Sequence, residues 1–213
     1  MCFSATASFT AGCALSAMGG VTIAKVRRKS EILFAAIPLL FGVQQLTEGV
    51  IWLSFQHPIL LSVMTSIYLF FSNVLWPTWI PLSILLIERK PWRRNILRVF
   101  FAIGIVVSLY YAYFLCTETV KAEIVNLCIS YVAPHFSAIP MFSAYTIATC
   151  ASCYISSHRF INLFGVVTLL SALVAFQFYE HAFISVWCFF AAILSVIIFL
   201  HFHFANQHSL KKG

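Results

Sequence analysis

Seven apolar runs of about 20 residues, separated by short polar breaks, make up most of this chain. A helix needs about that length to cross the roughly 30 Å of hydrocarbon in a bilayer. The alternating ten-residue strands of a membrane β-barrel are missing from the sequence. Because 62% of the residues are hydrophobic and only 9% are charged, the chain cannot cover itself with polar surface in water. The sequence therefore predicts an all-α protein with seven transmembrane helices.

The apolar runs predict one membrane domain over residues 1–213, with the lipid bilayer as its surroundings. The predicted spans are 3–24, 31–55, 60–87, 95–116, 137–155, 161–181 and 186–205. No basic residues precede the first apolar run, and a cluster of them follows it, which is unlike a cleaved signal peptide. We therefore expect the first helix to be retained.

The basic residues lie in alternate connections. Twelve of the 13 Lys and Arg residues would lie on one side of the membrane, and only Lys121 on the other. By the positive-inside rule the first side is cytoplasmic, so the N-terminus is expected outside and the C-terminus inside, as in a bacterial inner-membrane protein. This distribution accounts for the net charge of +7 without a nucleic-acid partner.

Two motifs recur in the second half of the chain. They are Phe3-Ser4-Ala5, which returns as Phe136-Ser137-Ala138, and Gln45-x-x-Glu48, which returns as Gln177-x-x-Glu180. The first shift is 133 residues and the second 132, so one residue of loop length reconciles them. We therefore predict a three-plus-one-plus-three architecture, in which residues 1–87 and 135–207 are parallel repeats and helix 95–116 is the linker. Repeats of this kind form a site between them.

This architecture resembles the SWEET and PQ-loop transporters, which move small solutes. The resemblance is confined to topology, because the Pro-Gln signature of those proteins is missing here. Gln44 and Gln45 follow Val43, and Gln177 follows Phe176.

Glu48 is the strongest candidate for a functional residue. It lies about seven residues, or roughly 10 Å, below the outer end of the second predicted helix, where an ionisable group is costly and usually functional. Gln44 and Gln45 lie one turn before it and Trp52 one turn after it, so this face is not expected to contact lipid. The alternative is a protonated Glu48 that hydrogen-bonds a glutamine or Asn73 and holds helices together.

Glu180 and His181 form a second candidate, with Gln177 one turn earlier. The repeat predicts that Glu180 is as deep as Glu48. The 47 residues from Ile161 to Gln207 must, however, hold two spans and a turn, and Glu180-His181 is their most polar break. That argument places the pair at the membrane rim instead.

A divalent metal ion such as zinc is a further possibility. Thiolate, imidazole and carboxylate groups are its usual ligands, and the repeat places several of them near the outer face. The candidate ligands are Cys2, Glu48, His135, Glu180 and His181. Ser4 and Ser137 would line the same cavity as hydroxyl donors, or would allow close helix packing as small residues.

Cysteines and prolines suggest further structure. Cys116 and Cys128 flank the longest outer loop and could form a disulfide in an oxidising compartment. The Cys150-x-x-Cys153 pair lies within a predicted membrane helix and favours small-residue packing over redox chemistry. Two prolines within Trp76-Pro77-Thr78-Trp79-Ile80-Pro81 are expected to bend the third helix.

Two segments carry a resemblance to a known family. They are Met1-Cys2-Phe3-Ser4-Ala5-Thr6-Ala7-Ser8-Phe9 and Phe41-Gly42-x-Gln44-Gln45-x-x-Glu48-Gly49-x-x-Trp52. The first 90 or so residues resemble an uncharacterised bacterial family of small membrane proteins that begin in this way. The resemblance implies that Cys2, Gln45, Glu48 and Trp52 belong to the family pattern. It brings no activity with it.

Three functions are consistent with these residues. The leading hypothesis is a protein that binds or transports a small solute or ion, in which Glu48 and Glu180 take up protons or cations and Gln45 and Gln177 orient the substrate. An alternative is a membrane metal-dependent hydrolase, broadly similar to the seven-helix ceramidase and adiponectin-receptor group. A third is a sensor or assembly partner without turnover. A retinal photoreceptor is disfavoured because the last helix has no lysine.

Overall fold

A computed structural model describes residues 4–132 and 139–210. Within these ranges the chain forms seven helices and one antiparallel β-hairpin. The helices are α1 (Ala5–Ala24), α2 (Lys29–Leu53), α3 (Pro58–Ile87), α4 (Pro91–Thr117), α5 (139–155), α6 (Arg159–Phe178) and α7 (180–210). The strands β1 (Lys121–Val125) and β2 (Cys128–Val132) connect α4 to α5.

Six of these helices, all but α5, are long and apolar enough to cross a membrane, which supports an integral membrane protein. The predicted fifth span, 137–155, begins outside the described residues. Two boundaries differ from the prediction. Helix α4 begins at Pro91 rather than at residue 95, because proline is well suited to the first turn of a helix. The break between α6 and α7 comes at Tyr179, a few residues earlier than predicted.

Four helices contain irregular turns. Helix α2 has a 3₁₀ turn at Lys29–Glu31 and a break at Ala36, and α7 has a 3₁₀ turn at Glu180–Ala182 and a break at Ser195. Helix α3 has a π-helical segment at Phe70–Leu75, and α5 has another at Ile147–Ala151. The π segment of α3 ends just before Pro77, whose ring nitrogen cannot donate a backbone hydrogen bond. Ser72 and Asn73 lie in this segment and are buried. Such wide turns are frequent at functional sites.

The helices pack in chain order around a ring. Each helix contacts the next one, and α7 contacts α1. Across the interior, α2 also contacts α7, and α3 contacts α5. Glycines permit the closest approaches. A Cβ added to Gly19 of α1 would overlap the Leu39 backbone of α2, and one added to Gly104 of α4 would overlap the Pro77 carbonyl of α3. Small residues at such contacts are typical of membrane helices.

Counted along the chain, the first, third and fifth connections between helices lie at one end of the ring, and the second, fourth and sixth lie at the other. The end that holds the basic connections, here called the basic end, is marked by the Lys25 Nζ to His203 Nδ1 contact of 2.5 Å. The other, here called the hairpin end, contains loop 54–57, the β-hairpin and the break between α6 and α7. There the Ser130 hydroxyl donates to the His181 carbonyl at 2.6 Å.

Glu88 fastens two connections together at the basic end. Its carboxylate accepts the backbone N–H groups of Arg89 and Lys90, both at 3.0 Å, and that of Ser157 at 2.7 Å, and it also accepts the Ser157 hydroxyl. Burial alone would raise the pKa of Glu88. The N–H and hydroxyl donors and the nearby Arg93 outweigh burial and lower this pKa below its usual value. The α3–α4 and α5–α6 connections are therefore held together by an ionised carboxylate.

The predicted Cys116–Cys128 disulfide is wrong. Cys128 is disulfide-bonded, but Cys116 at the end of α4 carries a free thiol. Cys150 and Cys153 are buried and also free, and Cys153 packs directly against Gly165 of α6. This position fits the prediction that the pair serves helix packing.

Candidate functional site

Three polar side chains of α2 point into the ring. Gln44, Gln45 and Glu48 all have no exposed surface, although the surrounding helix is apolar. They lie within about one helical turn, so they occupy one face of α2. An ionisable residue enclosed in this way is expensive to bury and marks a functional site by default.

Glu48 is held by hydroxyl groups from two distant parts of the chain. Its Oε1 accepts the Ser185 hydroxyl of α7 at 2.6 Å and the Tyr131 hydroxyl of β2 at 3.3 Å. Burial, with a smaller effect of the nearby Cys188, raises the pKa of Tyr131 well above 10, so its hydroxyl stays protonated and can donate. Glu48 thus links α2 to α7 and to the hairpin. Asn73, one of its predicted partners, instead donates to the Ser72 hydroxyl at 3.0 Å.

Gln44 connects α2 to α3. Its Oε1 accepts the indole N–H of Trp76 at 2.8 Å, and the Trp76 ring stacks on Phe41 with the centroids 4.0 Å apart. Tyr68 of α3 and Cys188 of α7 are the other neighbours of the Gln44 amide. The glutamine therefore lies where α2, α3 and α7 meet.

Gln45 differs from its neighbours. Within the described residues, neither its Nε2 nor its Oε1 has a hydrogen-bond partner, although the side chain is fully buried. A buried amide in this condition costs about 1–3 kcal/mol for each unsatisfied group. Such an exception is usually found at a functional position.

A cavity of about 540 Å³ lies beside this polar cluster, within the usual size range of small-molecule sites. Its mouth is at the hairpin end and is formed by exposed residues, namely Val132, Phe176, Glu180 and His181. Its buried floor includes Ser72, Asn73, Tyr145 and Cys188. The cavity therefore runs from a polar rim into the interior of the ring.

Aromatic rings form much of the cavity wall. Phe142, Phe183 and Trp187 pack against one another with centroids 5.2 to 6.3 Å apart. The Tyr145 hydroxyl donates to the Ser72 carbonyl at 2.7 Å, a carbonyl that belongs to the π segment of α3. These contacts fix the wall without using charged residues.

Tyr131 joins the cavity to the polar cluster. Its side chain lines the cavity, its ring stacks on Tyr68 at 4.7 Å, and its hydroxyl donates to Glu48. Glu48 therefore lies one side chain behind the cavity wall. Cys188 makes a second junction, because it lines the cavity and neighbours Gln44.

The structure brings together most of the predicted site residues of α2, α3 and α7. Asn73, Glu180 and His181 line the cavity, and Gln44, Gln45 and Glu48 form the cluster behind it. Glu180 is exposed at the break between α6 and α7, whereas Glu48 is fully buried. Glu180 therefore lies at the rim, as predicted from the chain break, and not at the depth of Glu48, as predicted from the repeat.

Other predicted residues lie elsewhere. Gln177 is exposed near the end of α6, and Trp52 is half-buried and packs against Phe55. Ser4 is the N-cap of α1, where its hydroxyl accepts the Ala7 N–H at 3.2 Å. Ser137 lies outside the described residues.

The proposed metal ligands remain a prediction. Cys2 and His135 lie outside the described residues, and within those residues no three His, Cys, Asp or Glu side chains form a group that could hold a metal ion. Glu180 and His181 are sequence neighbours at the cavity mouth, whereas Glu48 lies in the buried cluster.

Sequence reasoning missed the hydroxyl and thiol groups of the site, namely Ser72, Tyr131, Tyr145, Ser185 and Cys188. Ser185 fell in a predicted connection and Tyr131 in a predicted loop, and neither position has a local pattern that distinguishes it. A small polar residue beside Glu180-His181 was the only available signal for Ser185.

Comparison with known proteins gives a single family. A family model described as a family of unknown function (DUF6629) matches residues 1–212. Neither the curated proteins nor the solved structures gave a match. Because the family model covers almost the whole chain, the protein belongs to this family of unknown function.

Proposed function

We propose that this integral membrane protein binds and transports a small solute or ion through the cavity at its hairpin end, with Glu48 as the proton- or cation-binding group. One observation carries the proposal. Tyr131 lines the cavity and also donates a hydrogen bond to Glu48, the buried carboxyl group of the membrane interior. Buried ionisable groups of this kind mark ion and proton pathways in membrane proteins.

The distribution of charge supports the orientation with the cavity mouth outside. The described basic residues of the α1–α2, α3–α4 and α5–α6 connections lie at the basic end, and the hairpin end has Lys121 alone among described lysines and arginines. The positive-inside rule then places the basic end in the cytoplasm. A solute would enter the cavity from the outer side.

Protonation of Glu48 would change the cavity wall. An ionised carboxylate attracts the Ser185 and Tyr131 hydroxyl groups through charge-assisted hydrogen bonds. A protonated carboxyl group accepts more weakly and can itself donate, so the Tyr131 side chain is released to reorient toward the cavity. In this way proton binding at Glu48 and solute binding at Tyr131 would be coupled.

Thermal unfolding of the full-length protein in lipid nanodiscs tests the proposal. A panel of sugars, amino acids, organic cations and organic anions is added to the wild type and to two variants. Val132→Trp narrows the mouth at an exposed position, and Val21→Trp places the same side chain on an exposed face of α1 as the control. We expect at least one class of solute to stabilise the wild type and Val21→Trp, but not Val132→Trp.

The role of Glu48 is tested with the same solute. Glu48→Gln keeps the shape and removes the titratable group, so we expect the pH dependence of solute binding to be lost, with membrane insertion unchanged. An exposed carboxyl group away from the cavity, Glu123, gives the matched control Glu123→Gln. If a solute stabilises Val132→Trp as much as Val21→Trp, the cavity is not the solute site. If the pH dependence of solute binding survives Glu48→Gln, Glu48 is not the titratable group.

A further inference from the structure

We propose, as a refinement that rests on the proposed function, that the cavity accepts a small organic cation, such as a quaternary or protonated amine. Two features of the described residues carry this inference. The cavity wall is rich in aromatic faces, and its only carboxylate lies at the mouth.

The aromatic content is high even for a small-molecule site. Of the 15 described residues that line the cavity, seven are Phe, Tyr or Trp, and Trp187 is one of them. The face of an aromatic ring is electronegative and attracts a cation within about 6 Å of its centroid, most strongly for tryptophan. Several rings around one space form the kind of cage that recognises quaternary ammonium groups.

The charge at the mouth favours a cation. Among the described residues that line the cavity, Glu180 is the one carboxylate, and none is lysine or arginine. The rest of the described hairpin end adds Glu118 and Glu123 against Lys121. Since the acidic residues outnumber the lysine, a cation is attracted to this end.

The polar groups of the floor suit an ammonium group as well. Asn73 lines the cavity, its Nδ2 donates to Ser72, and its side-chain oxygen can accept a hydrogen bond from a protonated amine. Among the described lining residues an anion would meet the Glu180 carboxylate and the aromatic rings, and would find neither lysine nor arginine to pair with.

The test is calorimetric titration of the full-length protein in nanodiscs. The cationic probes are tetramethylammonium, tetraethylammonium and benzyltrimethylammonium. The uncharged probes are 3,3-dimethylbutan-1-ol and benzyl alcohol, which have comparable apolar groups. We expect at least one cation to bind at least tenfold more tightly than either alcohol, and its affinity to fall as salt is added, because Glu180 contributes through its charge.

Variants separate the two features. Phe142→Leu removes one ring of the wall, and Phe190→Leu makes the same change in α7 away from the cavity. We expect the first to weaken cation binding about tenfold, or ~1.4 kcal/mol, and the second to leave it unchanged. Glu180→Gln should weaken cation binding and reduce its salt dependence more than Glu123→Gln does, because Glu180 lines the cavity and Glu123 does not.

The outcomes distinguish this inference from the proposed function. Alcohols that bind as tightly as the cations overturn the cation assignment and leave a solute-binding cavity. Cation binding that is unaffected by both Phe142→Leu and Glu180→Gln places the cation elsewhere and also overturns the inference. If none of these probes binds but another class stabilises the wild type in the thermal assay, the cation assignment fails alone. If no solute of any class binds, both proposals fail.

Discussion

Replacing Ser185 by alanine should destabilise the protein much more than replacing Ser195. The two serines are closely matched, because both lie in α7, both are fully buried and both donate a hydrogen bond of 2.6 Å. They differ in the acceptor. Ser185 donates to Glu48 on another helix, whereas Ser195 donates to the Ala192 carbonyl of its own helix.

The expected difference follows from the acceptors. A hydrogen bond to a charged group contributes about 1.5–3 kcal/mol and one to a neutral group about 0.5–1.5 kcal/mol. Measured values for side-chain hydrogen bonds within membranes average ~0.6 and reach ~1.7 kcal/mol. The Tyr131 contact to Glu48 is longer than that of Ser185, at 3.3 Å. We therefore expect Ser185→Ala to cost about 1–2 kcal/mol and Ser195→Ala less than about 0.5 kcal/mol.

The assay is reversible unfolding in mixed micelles with an increasing fraction of denaturing detergent. A double-mutant cycle with Glu48→Ala isolates the Ser185 to Glu48 interaction, since the helix propensity and burial of serine cancel when Ser185→Ala is compared in the wild type and in Glu48→Ala. A coupling energy near zero, or equal costs for Ser185→Ala and Ser195→Ala, would refute the structural role given to this hydrogen bond.

Two further predictions concern packing and pH. Gly19→Ala should lower stability by about 1–3 kcal/mol, because the added methyl overlaps the Leu39 backbone. At the neighbouring position, the methyl of Gly20→Ala meets no atom within 4 Å, so this variant should be neutral or stabilising by up to about 1 kcal/mol. Thermal unfolding of both variants distinguishes them. The pKa of Glu88 in the folded state is below its unfolded value of about 4.5, so its stabilisation is fully present above that pH and is lost as the pH falls further, through the lower pKa of the folded state. Wild type should thus lose more thermal stability than Glu88→Gln between about pH 6 and pH 3, and equal losses would contradict the Ser157 connection.

The positions of the helices were largely predictable because the signal is local. Predicted spans 3–24 and 60–87 lie within a few residues of α1 and α3. A run of apolar residues with basic residues at its break reports the span without any knowledge of its neighbours. The same reasoning could not place the start of α4, because Arg93 and Arg94 belong to its first turns as well as to the basic connection.

The β-hairpin was not predicted because its turn lacks the usual signal. Asn126 and Leu127 both have positive φ, of 50° and 61°, as in a two-residue hairpin turn. Such turns usually carry glycine at the second position, and leucine there is uncommon. Ile129, two residues after the turn, is fully buried.

The candidate site was half predictable. Glu48 and its neighbouring glutamines stand out in a helix of apolar residues, so a local pattern identified them. Their partners did not stand out, because Tyr131 and Ser185 are 83 and 137 residues from Glu48 and hydroxyl residues are common in this chain. Only the packing of α2, α7 and the hairpin decides which hydroxyl groups reach the carboxyl group.

Glu48 and Glu180 share a sequence motif but not an environment, and the difference suggests how the site would work. Glu180 lies at the exposed mouth, where a carboxylate stays in contact with water. Glu48 is enclosed and accepts hydrogen bonds from the Ser185 and Tyr131 hydroxyl groups, and of these two residues Tyr131 lines the cavity. On the function proposed above, the first carboxylate attracts the solute and the second responds to it through Tyr131. A chain with two equally buried carboxyl groups could not separate these two tasks, because the group that attracts a solute must face water and the group that couples to it must not.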